Sequence, residues 1–460
     1  NYKTHLVGKY DVGMATELHH PRARGYDSWL GYWHHSNGYW SQTVESCSGV
    51  GAVKDLWKYN ATYDGPAVMF QNGDSCSQNN QQPSGENCVY EEEIFANEVL
   101  NVINAHDPKD PLFLFYSMHL AHMPLEVPKK YEDEFSFIED KYRRLNHAMV
   151  KYLDEKVGDV VNALKINGLW NNTLLVFHSD NGGEIMGAGV CGGNNFPLTG
   201  GKFSNWEGGI RAAGFIHAPY ILKRTGISND LFHVSDWYKS LFHAAAGNNG
   251  VVEKISLKPN EVEWKNGDGI DNWACLASSK DDQTPSARNE IIISSQAKGS
   301  IFNTHAIRVG DMKLVWSPNL LYTNKLWYFP PGSKEYDYTI KCGKPPSDIS
   351  DNLCEDENTP CLYNITADPC EFVNLATKLP NYVQSLKTKI NEYKKTTVLT
   401  WKQFHKTDTR ALPSNHGGKV PIQPNTIKGG ASEYNGVWKP WLTKEESKTY
   451  YPEFYVGPGY

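Results

Sequence analysis

Apolar residues fall along this chain in short runs and long helical stripes. Leu6-Val7-Gly8-Lys9-Tyr10-Asp11-Val12-Gly13 predicts a short strand that runs straight into a loop. Tyr90 to Ala105 carries Phe95, Val99 and Val102 at four- and three-residue steps, the period of one helix face. Pro111-Leu112-Phe113-Leu114-Phe115-Tyr116 predicts a buried strand ending in Ser117-Met118-His119-Leu120-Ala121-His122. From Tyr142 to Asn167, Leu145, Met149, Leu153, Val157, Val160 and Leu164 mark the clearest amphipathic helix. A second buried strand, Leu174-Leu175-Val176-Phe177, follows it. Strand, helix and strand in this order predict a mixed or parallel α/β sheet.

Another helix is expected to open at Asp236, a good N-cap residue. Beyond residue 295 the pattern changes. His305–Val309 and Met312–Trp316 flank Gly310-Asp311, a hairpin signal, and a helix is expected over 381–393. The expected organisation is a larger α/β domain over 1–295 and a smaller α+β domain over 296–460, whose last stretch, rich in Gly, Pro and Tyr, wraps over the body. Residues 41–90, polar and rich in Ser, Asn, Gln and Gly, read as a long excursion.

Composition narrows the class. The 460 residues are 40% hydrophobic and 21% charged, which allows a large core and argues against disorder. A net charge of -7 does not advertise nucleic acid as a partner, so any anion recognition must be local. No apolar run reaches membrane-spanning length. Of the nine cysteines, seven crowd polar loops, with Cys47, Cys76 and Cys88 in one and Cys342, Cys354, Cys361 and Cys370 in another. Their spacing matches no zinc module and predicts stapled loops in a secreted, cell-surface or lysosome-like compartment. The odd total leaves one thiol over or a partner elsewhere. Asn60, Asn171 and Asn364 open glycosylation acceptor triplets, which point the same way.

The chemistry concentrates where the Leu174–Phe177 strand ends. Asp180 and Asn181 offer hard oxygen donors suited to Ca²⁺ or Mg²⁺, at the carboxyl end of a strand, where α/β sheets bind ligands. Alone, Asp-Asn-Gly-Gly is a turn signal. Followed by Gly-Gly-Lys202 and Trp-Glu-Gly-Gly-Ile-Arg211 it becomes a site for an anion beside a cation. His119 and His122, three apart, bring no third nitrogen or sulfur ligand for zinc. His34 and His35 are candidates for lining a substrate cleft, though exposed loop histidines are common.

These segments together resemble the sulfatases of the alkaline-phosphatase superfamily, of the N-acetylgalactosamine 4-sulfatase type. The resemblance is carried by HLVGKYDVGM, RGYDSWLGYWHHSNGYW, PLFLFYSMHLAHMPLEVP, GLWNNTLLVFHSDNGG, GGNNFPLTGGKFSNWEGGIRAAGF, HAIRVGDMKLVW, NITADPCEFVNLA and GVWKPWL. It implies an alkaline-phosphatase-like fold, a large mixed sheet sandwiched by helices with a small C-terminal domain. It further implies that Asp180 and Asn181 ligate Ca²⁺ and that Lys202 contacts sulfate. His122 would stand near the leaving group, and Lys9 would hold a catalytic formylglycine. The implied substrate is a sulfated small molecule or glycan.

Two departures qualify the transfer. Asp11 stands where the best-known members have histidine, and it reverses the local charge. The family's Cys-x-Pro-Ser-Arg nucleophile motif and upstream Asp-Asp ligands do not occur in this sequence. The expectation is that Asn1 is not the natural start and that an N-terminal fragment supplies them. The alternative is a sulfatase-fold protein without catalysis that binds glycans or serves a structural role. A phosphatase or phosphodiesterase would need several His/Asp ligands that the sequence does not assemble.

Overall fold

The computed structural model describes residues 2–44, 53–67, 88–185, 191–222, 225–246, 268–278, 284–295, 304–317, 342, 354–397, 440, 442–443 and 445–446. Two compact units share the chain. One holds Asn1–Asn171 with Lys406–Pro458, the other Asn172–His405.

In the first unit the strands are β1 (Lys3–Lys9), β2 (Ser28–Tyr32), β3 (Thr43–Val44), β4 (Val53–Lys54), β5 (Trp57–Tyr59), β6 (Asp64–Pro66) and β7 (Leu112–Ser117). Five of them form a mixed sheet in the order β6-β5-β2-β1-β7. β1 runs parallel to both β2 and β7, while β2–β5 and β5–β6 are antiparallel. Pleating sends successive side chains to opposite faces. Val7 and its neighbour Leu30 join Phe95, Val99 and Ile103 of helix α1 (Glu91–Ala105) in one core. Leu6 and Trp29 face the other way, with Trp33, Val44 and Val53. Helix α2 (Lys129–Glu134) precedes α3 (Lys141–Ile166), whose Asp140 side chain accepts the Arg143 backbone N–H as an N-cap.

The strand expected over 111–116 is β7, but it is not the buried strand its composition predicts. Its burial alternates, and Phe113 and Phe115 are exposed. It ends the sheet among the described residues, so only one ladder of hydrogen bonds and one face are covered. The strand expected at 174–177 is β8 (Leu175–His178), in the second unit. It pairs antiparallel with β9 (Gly214–His217) in a two-stranded ribbon and is half-buried, not buried. The apolar run fixed the strand, not its neighbours.

The remaining elements of the second unit are α4 (Glu207–Ile210), α5 (Asp236–Ala246), α6 (Trp273–Ala277), β10 (Glu290–Ser295), β11 (His305–Val309), β12 (Met312–Trp316), β13 (Cys361–Asn364) and α7 (Pro380–Lys394). β10-β11-β12-β13 make an antiparallel sheet, the expected hairpin lying between β11 and β12. Leu386 and Ile390 of α7 pack on Ile307, Leu314 and Leu362. Disulfides Cys342–Cys370 and Cys354–Cys361 staple the loop beside this sheet. Cys88 is also disulfide-bonded. Cys47 and Cys76, much of the 41–90 excursion and most of the C-terminal tail lie outside the described residues. One tail residue, Leu442, donates its N–H to Ala15 O at 2.8 Å. Among the described residues no helix is long and apolar enough to cross a membrane.

The tightest point of the five-stranded sheet is Gly8. Its φ is +99°, and a Cβ there would stand 1.9 Å from Ser117 O on β7. Gly31 on the opposite side approaches Gly8 O as closely. Neither position leaves room for a methyl group, so Gly8→Ala must push parallel strands apart. We expect it to cost about 3 kcal/mol or more, as steric and backbone strain combine. Urea unfolding checks this, and a loss under about 1 kcal/mol would contradict the close approach.

Candidate functional site

One group of the sequence-predicted residues hangs from the carboxyl edge of the three parallel strands of the first unit. Lys9 ends β1 opposite Tyr32 of β2, and Gly8 lies opposite Ser117 of β7. Past the strand ends, Tyr10 N–H donates to Tyr32 O at 3.0 Å and Asp11 N–H to Trp33 O at 3.2 Å. The chain carrying Lys9 and Asp11 is thereby zipped to the one carrying His34. Asp11 sits at φ +48°, and its carboxylate lies 3.6 Å from Lys9 Nζ. His34 leans on Asp55, a carboxylate with no exposed side-chain surface. Asp55 accepts the backbone N–H groups of Trp33 and His34 at 3.0 and 3.1 Å and His34 Nδ1 at 2.7 Å. A carboxylate can only accept when ionised, so the imidazole carries a proton on Nδ1. His35 is exposed.

β7 leads into His119 and His122. The His122 N–H donates to His119 O at 3.0 Å, and Tyr39 OH donates to the carbonyls of both histidines at 3.0 Å. The two imidazoles stack 5.6 Å apart, with the Tyr39 ring 4.1 Å from His119 on the same stack. His122 Nδ1 donates to Met123 O at 2.7 Å, which places its neutral-state proton there. Behind His119 lie Glu92, whose Oε1 accepts the His119 backbone N–H at 2.6 Å, and Glu91, 3.1 Å from Nδ1.

Asp55, Glu91, Glu92 and Tyr39 were not singled out by the sequence. Glu91, Glu92 and Glu93 open α1, where acidic residues normally face water and complement the helix dipole. Here Glu91 and Glu92 are fully buried. Burial, then repulsion from Glu92, holds the Glu91 carboxyl well above the usual carboxylate range. Burial pushes Glu92 up to about 8 and Glu126 to about 7, against the hydrogen bonds they accept.

A second group, in the second unit, is built on the β8–β9 ribbon. Ser179 N–H donates to Ala213 O at 2.9 Å, and its hydroxyl turns the chain by donating to Asn181 O at 2.7 Å. Gly182 N–H then donates to Gly209 O at 2.9 Å. A Cβ at Gly182 would stand 1.7 Å from Gly208 O, so backbone packs directly on backbone. Gly183 O accepts Lys202 N–H at 3.1 Å and Asn195 Nδ2 at 2.8 Å, while Asn195 Oδ1 accepts Gly183 N–H at 2.8 Å. Lys202 and the Asp180–Asn181 turn are therefore stitched together, as their order in the sequence led us to expect. Lys202 Nζ lies 5.1 Å from the centre of the Phe203 ring.

Asp180 and Asn181 fit a hard divalent cation in the kind of atom they offer. Two side chains cannot fill its shell, and no group of three His, Cys, Asp or Glu suited to a metal occurs among the described residues.

Residues 1–247 match the Sulfatase family model. The chain belongs to the sulfatase family. This sulfatase chain is 29% identical to Arylsulfatase J of Mus musculus over 97% of its own length and 66% of that protein's. It is 23% identical to the N-acetylgalactosamine-6-sulfatase of Rattus norvegicus over 57% of its length and 46% of the relative's. It thus spans less than two thirds of the length of these relatives. Among solved structures, the PsFucS1 sulfatase from Pseudoalteromonas sp. superposes with a TM-score of 0.60 at 21% identity, covering 88% of this chain and 72% of that one. The fold is that of the alkaline-phosphatase superfamily, a mixed sheet with helices and a small antiparallel C-terminal sheet.

The buried acids of the His119 network give the sulfatase chain a testable pH response. A carboxyl raised from the usual 4.5 to about 8 favours the folded state most when protonated. Its contribution is full below pH 4.5 and fades as pH rises through about 8. We expect the thermal midpoint of the wild type to fall across that window more than that of Glu92→Gln, whose amide keeps the acceptor for His119 N–H. Equal slopes in scanning calorimetry from pH 5 to 8 would contradict an unusually protonated Glu92.

Proposed function

We propose that the chain hydrolyses sulfate esters, aryl or carbohydrate, as a secreted, cell-surface or lysosome-like glycoprotein. Membership of the sulfatase family carries the reading, together with the five motif residues Lys9, His122, Asp180, Asn181 and Lys202. A sulfate ester is anionic at any working pH, and its cleavage builds negative charge on the leaving oxygen. Fixed cations stabilise that charge where it develops. Lys202, held by its backbone against Gly183, would meet the sulfate oxygens as a compact point charge. Lys9, at the end of β1, is the other cation among the family's motif residues. His122 would protonate the departing oxygen from Nε2, since Nδ1 is committed to Met123 O. Its loop is braced by Tyr39 and His119 so that the ring does not wander. His34 and His35 are assigned to the substrate, His34 with its orientation set by Asp55.

Asp180 and Asn181 would hold Ca²⁺, or Mg²⁺, which lends positive charge to the sulfate. The family's formylglycine supplies a nucleophilic diol. No cysteine of this sequence lies in a Cys-x-Pro-Ser-Arg context. Asn60 and Asn171 fit glycosylation in placement. Asn60 heads a turn through Thr62 and Tyr63, and Asn171 is exposed. Asn364 is the third acceptor. A catalytic part over 1–295 and a C-terminal part over 296–460 remain our proposed division of labour.

The second reading, a sulfatase fold that binds glycans without cleaving them, is favoured by one observation. Asp11 places a carboxylate 3.6 Å from Lys9 Nζ, where anionic substrate would need that charge. Sulfate release from chromogenic aryl sulfates and sulfated oligosaccharides separates the two. On the hydrolytic reading, Lys202→Ala and His122→Ala each lower kcat/KM by about 10²–10³-fold. A wild type that releases no sulfate yet binds sulfated glycans would establish the second reading.

A further inference from the structure

A lysine on the small C-terminal sheet lies behind the Lys202 loop. Lys313, in the middle of β12, has no exposed surface, and its Nζ lies 2.9 Å from Glu207 Oε1 and 2.7 Å from Glu371 Oε1. Glu371 Oε2 also accepts the Glu207 backbone N–H at 2.8 Å. The three charges close a ring whose members are all buried. Next to this ring, Thr199 Oγ1 donates to the carbonyl of Cys370, at 2.6 Å. Gly208 N–H in turn donates to Thr199 O at 2.8 Å.

The ring abuts the metal-and-anion half-site within two residues. Glu207 begins α4, and Gly208 and Gly209 come straight after it. Gly208 O is the atom that Gly182 would strike with a Cβ, and Gly209 O accepts Gly182 N–H. Gly182 follows Asn181. Any drift of Glu207 therefore moves the wall on which Asp180 and Asn181 are folded, and with it Gly183, which carries Lys202. Burying a lysine with two glutamates is costly unless every partner is in place. A surface-packing role would be met by apolar residues, as β12's neighbours Leu314 and Val315 show.

We propose that Lys313 is a positioning residue, which through Glu207 and Glu371 fixes the Asp180–Asn181 turn and the Lys202 loop in their working arrangement. This rests on the reading of those three residues as a sulfate and cation half-site.

The test compares wild type with Lys313→Met, with Glu371→Gln, and with the uncharged triple variant Glu207→Gln, Lys313→Met, Glu371→Gln. Three quantities are read: thermal midpoint, amide exchange of peptides covering 179–185 and 199–211, and Ca²⁺ affinity by calorimetry. Glu371→Gln keeps an acceptor for Glu207 N–H and leaves Lys313 paired one-to-one, so it should match wild type. The triple variant should stay folded because no charge is left buried alone. Its two peptides should exchange at least tenfold faster, with exchange in β11 and α7 unchanged, and its Ca²⁺ affinity should fall at least tenfold. Unchanged exchange in 179–185 and 199–211 in the folded triple variant would overturn the proposal. A wild type that binds no Ca²⁺ but shows the exchange difference on substitution would overturn the cation reading and leave the positioning role standing. Should Lys313→Met alone fail to fold, the triple variant still decides.

Discussion

Backbone packed against backbone, with no side chain between, is the constraint on which the candidate residues of each unit depend. In the first unit Gly8 is pressed between Ser117 and Gly31, so three parallel strands end together and release Lys9, His34 and His122 from one edge. In the second unit Gly182 lies on Gly208 and Gly209, and the Asp180 turn and Lys202 loop become one piece. A glycine costs conformational entropy, and a site built from several is affordable only where the surrounding packing is dense. The cores built around Val7 and Leu30, and around Trp206 and Tyr363, provide that packing.

Each unit also buries charge next to its own candidate residues, and the two do so differently. In the second unit the charges are opposite and compensate. Burial acts to raise Glu207, but Lys313 outweighs it and holds the carboxyl below its usual range. Glu371 is left raised, to about 7, by its burial and by the ionised Glu207. In the first unit Glu91 and Glu92 are of one sign, so the compensation must come from protons and from neutral donors such as Asn37 Nδ2, 2.6 Å from Glu91. Glu91 Oε1 lies 3.1 Å from His119 Nδ1, and the His122 ring stacks on His119. The two arrangements differ in what disturbs them. In the lysine ring Glu371 is the group that mild acid reaches while Glu207 stays ionised, whereas the glutamate pair of the first unit becomes easier to bury as pH falls.

How far this was legible in the sequence depends on the range of the interaction. Helices α1 and α3 came within a residue or two of their expected ends, because the stripe of Leu145, Met149 and Leu164 is a local signal. The β11–β12 hairpin was equally local. The turn at Asp180 and its tie to Lys202 followed from glycine placement and order along the chain. The neighbours of a strand did not follow. Leu175–His178 has the composition of a buried central strand and instead pairs only with β9 among the described residues. Glu91, Glu92 and Lys313 were invisible for the same reason. Each looks like solvated surface in its own segment, and each is buried by residues 27 or more positions away, such as Asn37, His119 and Glu207.

The Lys9–Asp11 pair decides how much weight the non-catalytic reading can bear. At 3.6 Å, two unit charges attract by about 1 kcal/mol in water and about 5 kcal/mol at an effective dielectric of 20. Asp11 has about half of its side-chain surface exposed, which puts the pair toward the aqueous end of that range. Pairs of this kind contribute about 0–1 kcal/mol net. On the proposed hydrolytic reading, an anionic substrate competes with Asp11 for Lys9 at small cost, because the pair is largely solvated. The carboxylate therefore weakens Lys9 as an anion contact by about tenfold or less, since 1.4 kcal/mol corresponds to one factor of ten. That is a tax on affinity rather than a block on chemistry, and it is too small to remove Lys9 from the site.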